Sequence, residues 1–131
     1  MRVGIIGAGA LGCEFANLYA DLGTQVTLVE MLPQILPTED HEVAAILERE
    51  LKKKGIRVHT GTKVERTKSE RDCVSVELSG GHHVRADHVL VSIGRVFNTE
   101  DIGLEGAGHN STDNAANYWP SIARFLTEKS P

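Results

Sequence analysis

Residues 3–12 read Val3-Gly4-Ile5-Ile6-Gly7-Ala8-Gly9-Ala10-Leu11-Gly12, an apolar run that ends in glycines spaced G-x-G-x-x-G. Such a run, apolar on both faces, suits a central parallel strand that is covered on each side. Beyond the glycines the period changes. Leu11, Phe15, Leu18, Tyr19 and Leu22 recur at helical spacing, and Gly23 stands where that helix would be capped. Gln25-Val26-Thr27-Leu28-Val29-Glu30 is rich in β-branched residues and ends on an acid, the pattern of a second strand. Pro33 and Pro37 mark an extended connection. Thr38 then stands as N-cap of a helix with Glu39, Asp40 and Glu42 in its first turn and Val43, Ile46, Leu47 and Leu51 on its apolar face. Lys52, Lys53 and Lys54 fall in its last turn, and Gly55 ends it. Residues 56–60 make a third short strand. Residues 3–60 therefore spell β-α-β-α-β, the first half of a Rossmann-like, doubly wound parallel sheet of the α/β class.

The texture then shifts to short alternating segments at 64–67, 74–78 and 82–85, with Gly80-Gly81 between the last two as a hairpin signal. These predict an inserted antiparallel meander of three strands. Residues 89–93, Val89-Leu90-Val91-Ser92-Ile93, are apolar enough to return to the parallel sheet. After Glu105 a small, polar stretch leads to Ile122, Phe125 and Leu126, which suggest a short C-terminal helix.

A glycine turn between a strand and a helix has a chemical use. Gly7 permits the tight turn, Gly9 lets a pyrophosphate approach the backbone, and Gly12 lets the helix pack closely on the sheet. The free N–H groups of the first helical turn then face the phosphates. The alternative is a tight turn with no ligand. Glu30 lies 18 residues after Gly12, where an acid accepts hydrogen bonds from the adenine ribose and opposes a 2′-phosphate. No Arg or Lys follows until Arg49. The turn and the acid together predict NAD rather than NADP; a solvated acid at a strand end is the plainer alternative.

The remaining totals exclude more than they select. A length of 131 residues is ordinary for one domain. A net charge of −4 argues against a nucleic-acid or anionic-membrane surface. No apolar run approaches the roughly 18 residues needed to cross a bilayer. Cys13 and Cys73 form no CxxC or CxxxxC pair, which suits a reducing, cytoplasmic location and offers no disulfide or zinc framework. Cys13 lies in the first helical turn, where the dipole favours a thiolate, but with no partner at the right spacing it reads as a buried, inert thiol. The six histidines do not cluster at ligand spacing, and no metal site is expected.

Three stretches are more specific than the fold. Gly7-Ala8-Gly9-Ala10-Leu11-Gly12-Cys13-Glu14-Phe15-Ala16, then Val29-Glu30-Met31-Leu32-Pro33, then Ile93-Gly94-Arg95 with Asn98-Thr99, resemble the NAD domain of the pyridine nucleotide–disulfide oxidoreductases. The dihydrolipoamide dehydrogenase branch is the most similar. The resemblance covers roughly residues 2–105. It implies that the domain docks NAD(H) against an FAD held elsewhere in a full enzyme, with electrons passing on to a redox-active disulfide. It further implies that Gly7, Ala8, Gly9, Ala10, Leu11, Gly12, Cys13 and Glu14 wrap the pyrophosphate, with Glu14 nearer the nicotinamide. By the same resemblance Glu30 holds the adenine ribose, Val64 lies beside the adenine, and Gly94 offers its backbone near the cofactor with Arg95 beside it. For Val64 and Gly94, plain sheet packing is the alternative.

The expected organisation is thus an NAD-binding domain at 1–105 and an atypical tail at 106–131. The family's first FAD-binding unit, its CxxxxC disulfide and its dimerisation domain have no counterpart in these residues. No catalytic residue is therefore expected, and FAD is expected only in the context of a full-length enzyme. Phe97 stands where the family usually has Pro. The segment Gly106-Ala107-Gly108-His109-Asn110, followed by Tyr118-Trp119, resembles the end of some α/β-hydrolases, in which that histidine is a general base. No G-x-S-x-G elbow accompanies it. Besides the flavoenzyme fragment, two readings stay open: a free-standing NAD-binding module or sensor, and a hydrolase fragment using His109. The chain as it stands is expected to purify colourless; flavin absorbance in the purified protein would overturn that expectation.

Overall fold

The structure, a computed structural model, describes residues 1–94 and the backbone of residues 124–126. Strand β1 (Arg2–Ile6) is followed by helix α1 (Ala10–Asp21), β2 (Gln25–Val29), α2 (His41–Lys53) and β3 (Arg57–His59). The antiparallel insert is β4 (Val64–Ser69), β5 (Val74–Leu78) and β6 (His82–Ala86), after which β7 (His88–Val91) returns to the first sheet. That sheet has the order β3-β2-β1-β7, all parallel, and β8 (Arg124–Leu126) pairs antiparallel with β7 at its edge. The three-stranded meander has the order β4-β5-β6.

The strand period of two sorts the apolar residues into two cores. Val3 and Ile5 of β1, Val26 and Leu28 of β2 and Leu90 of β7 face Cys13 and Ala16 of α1 and Ala44 and Leu51 of α2. Val29, Val89, Ile6 and Val91 face the other way, onto Val76, Leu78 and Ala86 of the meander. The result is three layers: two helices, a parallel sheet, and an antiparallel sheet on the opposite face. The apolar run of β1 is explained by this covering on both sides.

Two local expectations are corrected. The N-cap of α2 is Asp40, whose Oδ1 accepts the Glu42 N–H at 2.8 Å, and not Thr38. The chain is still turning at Thr38, because the Glu39 N–H closes back on the Leu36 carbonyl at 2.8 Å. At the far end, residues 124–126 form strand β8 where a short helix was expected. The exposed edge of β7 offers a row of backbone donors and acceptors that favours an extended partner. The rest of that segment lies outside the described residues.

The corner between β6 and β7 is fastened to the start of β1. Asp87 accepts the Arg2 N–H at 2.7 Å and the Arg2 Nε at 3.1 Å, while its own N–H donates to the Arg2 carbonyl at 2.9 Å. Hydrogen bonds from the Arg2 side chain, and then from its backbone, hold the Asp87 carboxyl below its ordinary range. A depressed folded pKa means the contribution is complete above the unfolded value of about 3.9 and is lost as pH falls through the folded one. Asp87→Asn is expected to shrink the drop in urea midpoint between neutral pH and about pH 3. An acid limb identical to that of the unmutated chain would refute this.

Candidate functional site

β1 has β2 on one side and β7 on the other, so the strand order reverses at β1. Ligands of open α/β sheets bind beyond the carboxyl ends of strands at such a reversal. The carboxyl end of β1 runs into Gly7, that of β2 into Glu30, and that of β7 into Ser92, Ile93 and Gly94.

The three glycines of the turn do different work. Gly7 has φ +99°, and a Cβ there would lie 2.5 Å from the Ser92 carbonyl oxygen. At Gly12 a Cβ would fall 2.0 Å from the Gly7 carbonyl oxygen, so only glycine lets α1 start this close to the strand end. At Gly9 no atom lies within 4 Å of where a Cβ would sit, and its φ of −68° suits any residue. Neither packing nor backbone conformation requires glycine at Gly9; the open space in front of it admits a ligand.

Gly9 is also the N-cap of α1 and supplies no side-chain cap. The Cys13 N–H closes on the Gly9 carbonyl at 3.0 Å, whereas the N–H groups of Ala10, Leu11 and Gly12 have no acceptor among the described residues. No acidic residue occupies the first turn. Unpaired N–H groups and the positive end of the helix dipole can together receive an anion without a cation.

Glu30 is buried and does not behave as a solvated strand-end acid. Its Oε2 accepts the Ala8 N–H at 2.7 Å and its Oε1 accepts the Leu32 N–H at 2.9 Å. Each oxygen keeps a further lone pair for a hydroxyl donor. The Ala8 carbonyl accepts the N–H of Leu36 at 2.7 Å, and Leu36 is held at φ +47° with Ile35 beside it in the core. The Ser92 hydroxyl lies 2.9 Å from the Gly7 carbonyl and 3.3 Å from that of Ile6. Neither Leu36 nor Ser92 stood out in the sequence. The one signal was a hydroxyl in an otherwise apolar strand.

The other expected residues are placed as follows. Glu14 is exposed on α1, and Gly94 is exposed with φ +141°. Val64 is half-buried against the meander core, so part of its side chain is spent on sheet packing. Cys13 points inward, its thiol donating to the Ala8 carbonyl at 3.4 Å. Burial, followed by the negative charges of Glu30 and Glu14, pushes its pKa up to about 12, so desolvation outweighs the helix dipole. Arg95, Asn98, Thr99 and His109 lie outside the described residues. Among the described residues no group of His, Cys, Asp or Glu could hold a metal ion, and no helix is long and apolar enough to cross a membrane.

The fold recurs among known proteins. The sequence profile of the family described as pyridine nucleotide-disulphide oxidoreductase matches residues 1–116. The chain is 43% identical over 108 residues to a dihydrolipoyl dehydrogenase of Zymomonas mobilis, a match covering 79% of this chain and 23% of that protein. It is 37% identical over 106 residues to the Bacillus subtilis dihydrolipoyl dehydrogenase, covering 79% and 23%. The chain thus spans about a quarter of the length of these relatives. Among solved structures, LpdA of Mycobacterium tuberculosis superposes with a TM-score of 0.70 at 33% identity, covering 79% of this chain and 23% of that one. A NAD-dependent persulfide reductase from A. fulgidus gives 0.73 at 34% identity, covering 81% and 20%.

The contrast between the glycines is measurable in stability. Gly12→Ala is expected to cost about 1–3 kcal/mol or more, the cost of overpacking against backbone. Gly9→Ala should cost no more than about 1 kcal/mol, the difference between a glycine and an alanine cap. Equal losses in urea midpoint for the two variants would contradict the assignment of the open space to Gly9.

Proposed function

The chain belongs to the pyridine nucleotide-disulphide oxidoreductase family, and from that premise we propose that residues 1–105 form its NAD(H)-binding domain, of the dihydrolipoamide dehydrogenase type. The observation that carries this reading is the open space at Gly9 in front of unpaired helix N–H groups. A Cβ would enter the region a pyrophosphate needs, so the residues present fit the cofactor.

In this reading the N–H groups of Ala10, Leu11 and Gly12 donate to the pyrophosphate oxygens. Glu30, already anchored by Ala8 and Leu32, accepts from the ribose hydroxyls and sets its fixed negative charge against a 2′-phosphate. Glu14 and the exposed backbone of Gly94 are assigned to the nicotinamide half in the same reading. Bound NAD(H) supplies hydride transfer, and the FAD that would exchange electrons with it is expected from another part of a longer enzyme. The chain's share of the work is binding and orientation. The tail from residue 106 has no role in this reading.

Calorimetry on the 131-residue chain tests the proposal. NAD is expected to bind, and more tightly than NADP. Gly9→Ala should weaken NAD about tenfold, or ~1.4 kcal/mol, while leaving the protein folded. Glu30→Ala should weaken NAD by about ten- to a hundredfold, the worth of a charge-assisted hydrogen bond, and narrow the gap to NADP. Equal affinity for the two cofactors in the unmutated chain would sink the NAD assignment. Gly9→Ala without effect on binding would sink the site.

A further inference from the structure

The peptide joining Gly7 to Ala8 is gripped at both ends by side chains from different strands. Its N–H donates to Glu30 Oε2 beyond β2, at 2.7 Å, and its carbonyl oxygen lies 2.9 Å from Ser92 Oγ beyond β7. A serine hydroxyl has one proton. The shorter contact gives that proton to Gly7 rather than to Ile6, whose carbonyl already accepts the Ser92 N–H at 2.8 Å. Gly7 carries no Cβ and sits at φ +99°, so side-chain bulk does little to oppose rotation of the peptide plane that follows it. Rotation by half a turn would aim the Gly7 carbonyl at the Glu30 carboxylate, oxygen against oxygen. The same Ser92 oxygen lies 3.0 Å from where a Gly12 Cβ would stand, so it is near both ends of the turn.

We propose that Ser92 is a positioning residue for the pyrophosphate: with Glu30 it fixes the Gly7–Ala8 peptide plane, and through it the direction in which the first turn of α1 presents its N–H groups. The inference rests on the dinucleotide reading of this turn. Ser92 is 4% exposed and acts through the backbone, without touching the ligand.

The two ends of the dinucleotide can be probed separately, with ADP carrying pyrophosphate and ribose and adenosine carrying ribose alone. NMR titration of the full chain is expected to show Ser92→Ala weakening ADP about tenfold, the worth of one buried hydrogen bond, with adenosine changed less than twofold. Ser92→Thr, which keeps the hydroxyl, should recover most of the ADP affinity. Glu30→Gln should weaken both probes, since Glu30 serves both ends. Equal losses for ADP and adenosine in Ser92→Ala would overturn the proposal. So would a lowered thermal midpoint with ADP affinity unchanged, or an unfolded chain, because each makes the hydroxyl a support of the fold alone. If the unmutated chain binds neither probe, the dinucleotide reading fails and the proposal with it. Binding by the unmutated chain tells the two failures apart.

Discussion

The passage of Gly12 against the Gly7 carbonyl, where a Cβ would lie only 2.0 Å from the oxygen, sets the angle at which α1 leaves the sheet. That angle brings Cys13 and Ala16 down onto Val3, Ile5 and Leu28. It also turns the uncapped end of the helix outward, at the point where the strand order reverses. The packing of α1 and the direction of its first N–H groups are therefore consequences of one backbone contact. A larger residue would have to push the helix away from the strand, and the row of N–H groups would move with it.

Around that contact the charge is arranged economically. An anion at the turn would need no cation, because helix N–H groups can meet it directly. The buried acid beside it, Glu30, has one backbone donor on each carboxylate oxygen, as a buried polar group requires. The connection between β2 and α2 contributes as well. Leu36 adopts a left-handed conformation that a non-glycine residue enters at some cost, and in return its N–H holds the Ala8 carbonyl. The acidic net charge of the chain is thus compatible with a phosphate ligand.

Much of this was legible in the residues themselves. The change from an apolar run to helical spacing at the glycines marked β1 and α1, and the alternation around Gly80-Gly81 marked the meander. Those signals are local, and period and turn chemistry carry them. Glu30 was found as a strand-end acid, but its burial was not foreseen, because that depends on where Ala8 and Leu32 lie in space. Ser92 and Leu36 escaped for the same reason: each acts on a backbone group distant in sequence, and such a bond leaves no spacing to recognise. The cap of α2 fell on Asp40 instead of Thr38 because a turn closed by Leu36 occupies the intervening residues. The terminal strand at 124–126 depends on an edge that only the assembled sheet provides.

β7 has a consequence for how the molecule forms. The meander is inserted between β3 and β7, so the strand that completes the sheet beside β1 arrives late along the chain, and the Ser92–Gly7 contact joins residues 85 positions apart. Closing so long a loop costs entropy that local pairing does not. The βαβαβ half brings its own neighbours together through short connections, and Glu30 reaches Ala8 within that half. The other side of the turn exists only once β7 has docked. Completion of the sheet and completion of the glycine turn are then one event, and any ligand that binds only the completed turn favours the finished fold over a partly assembled one.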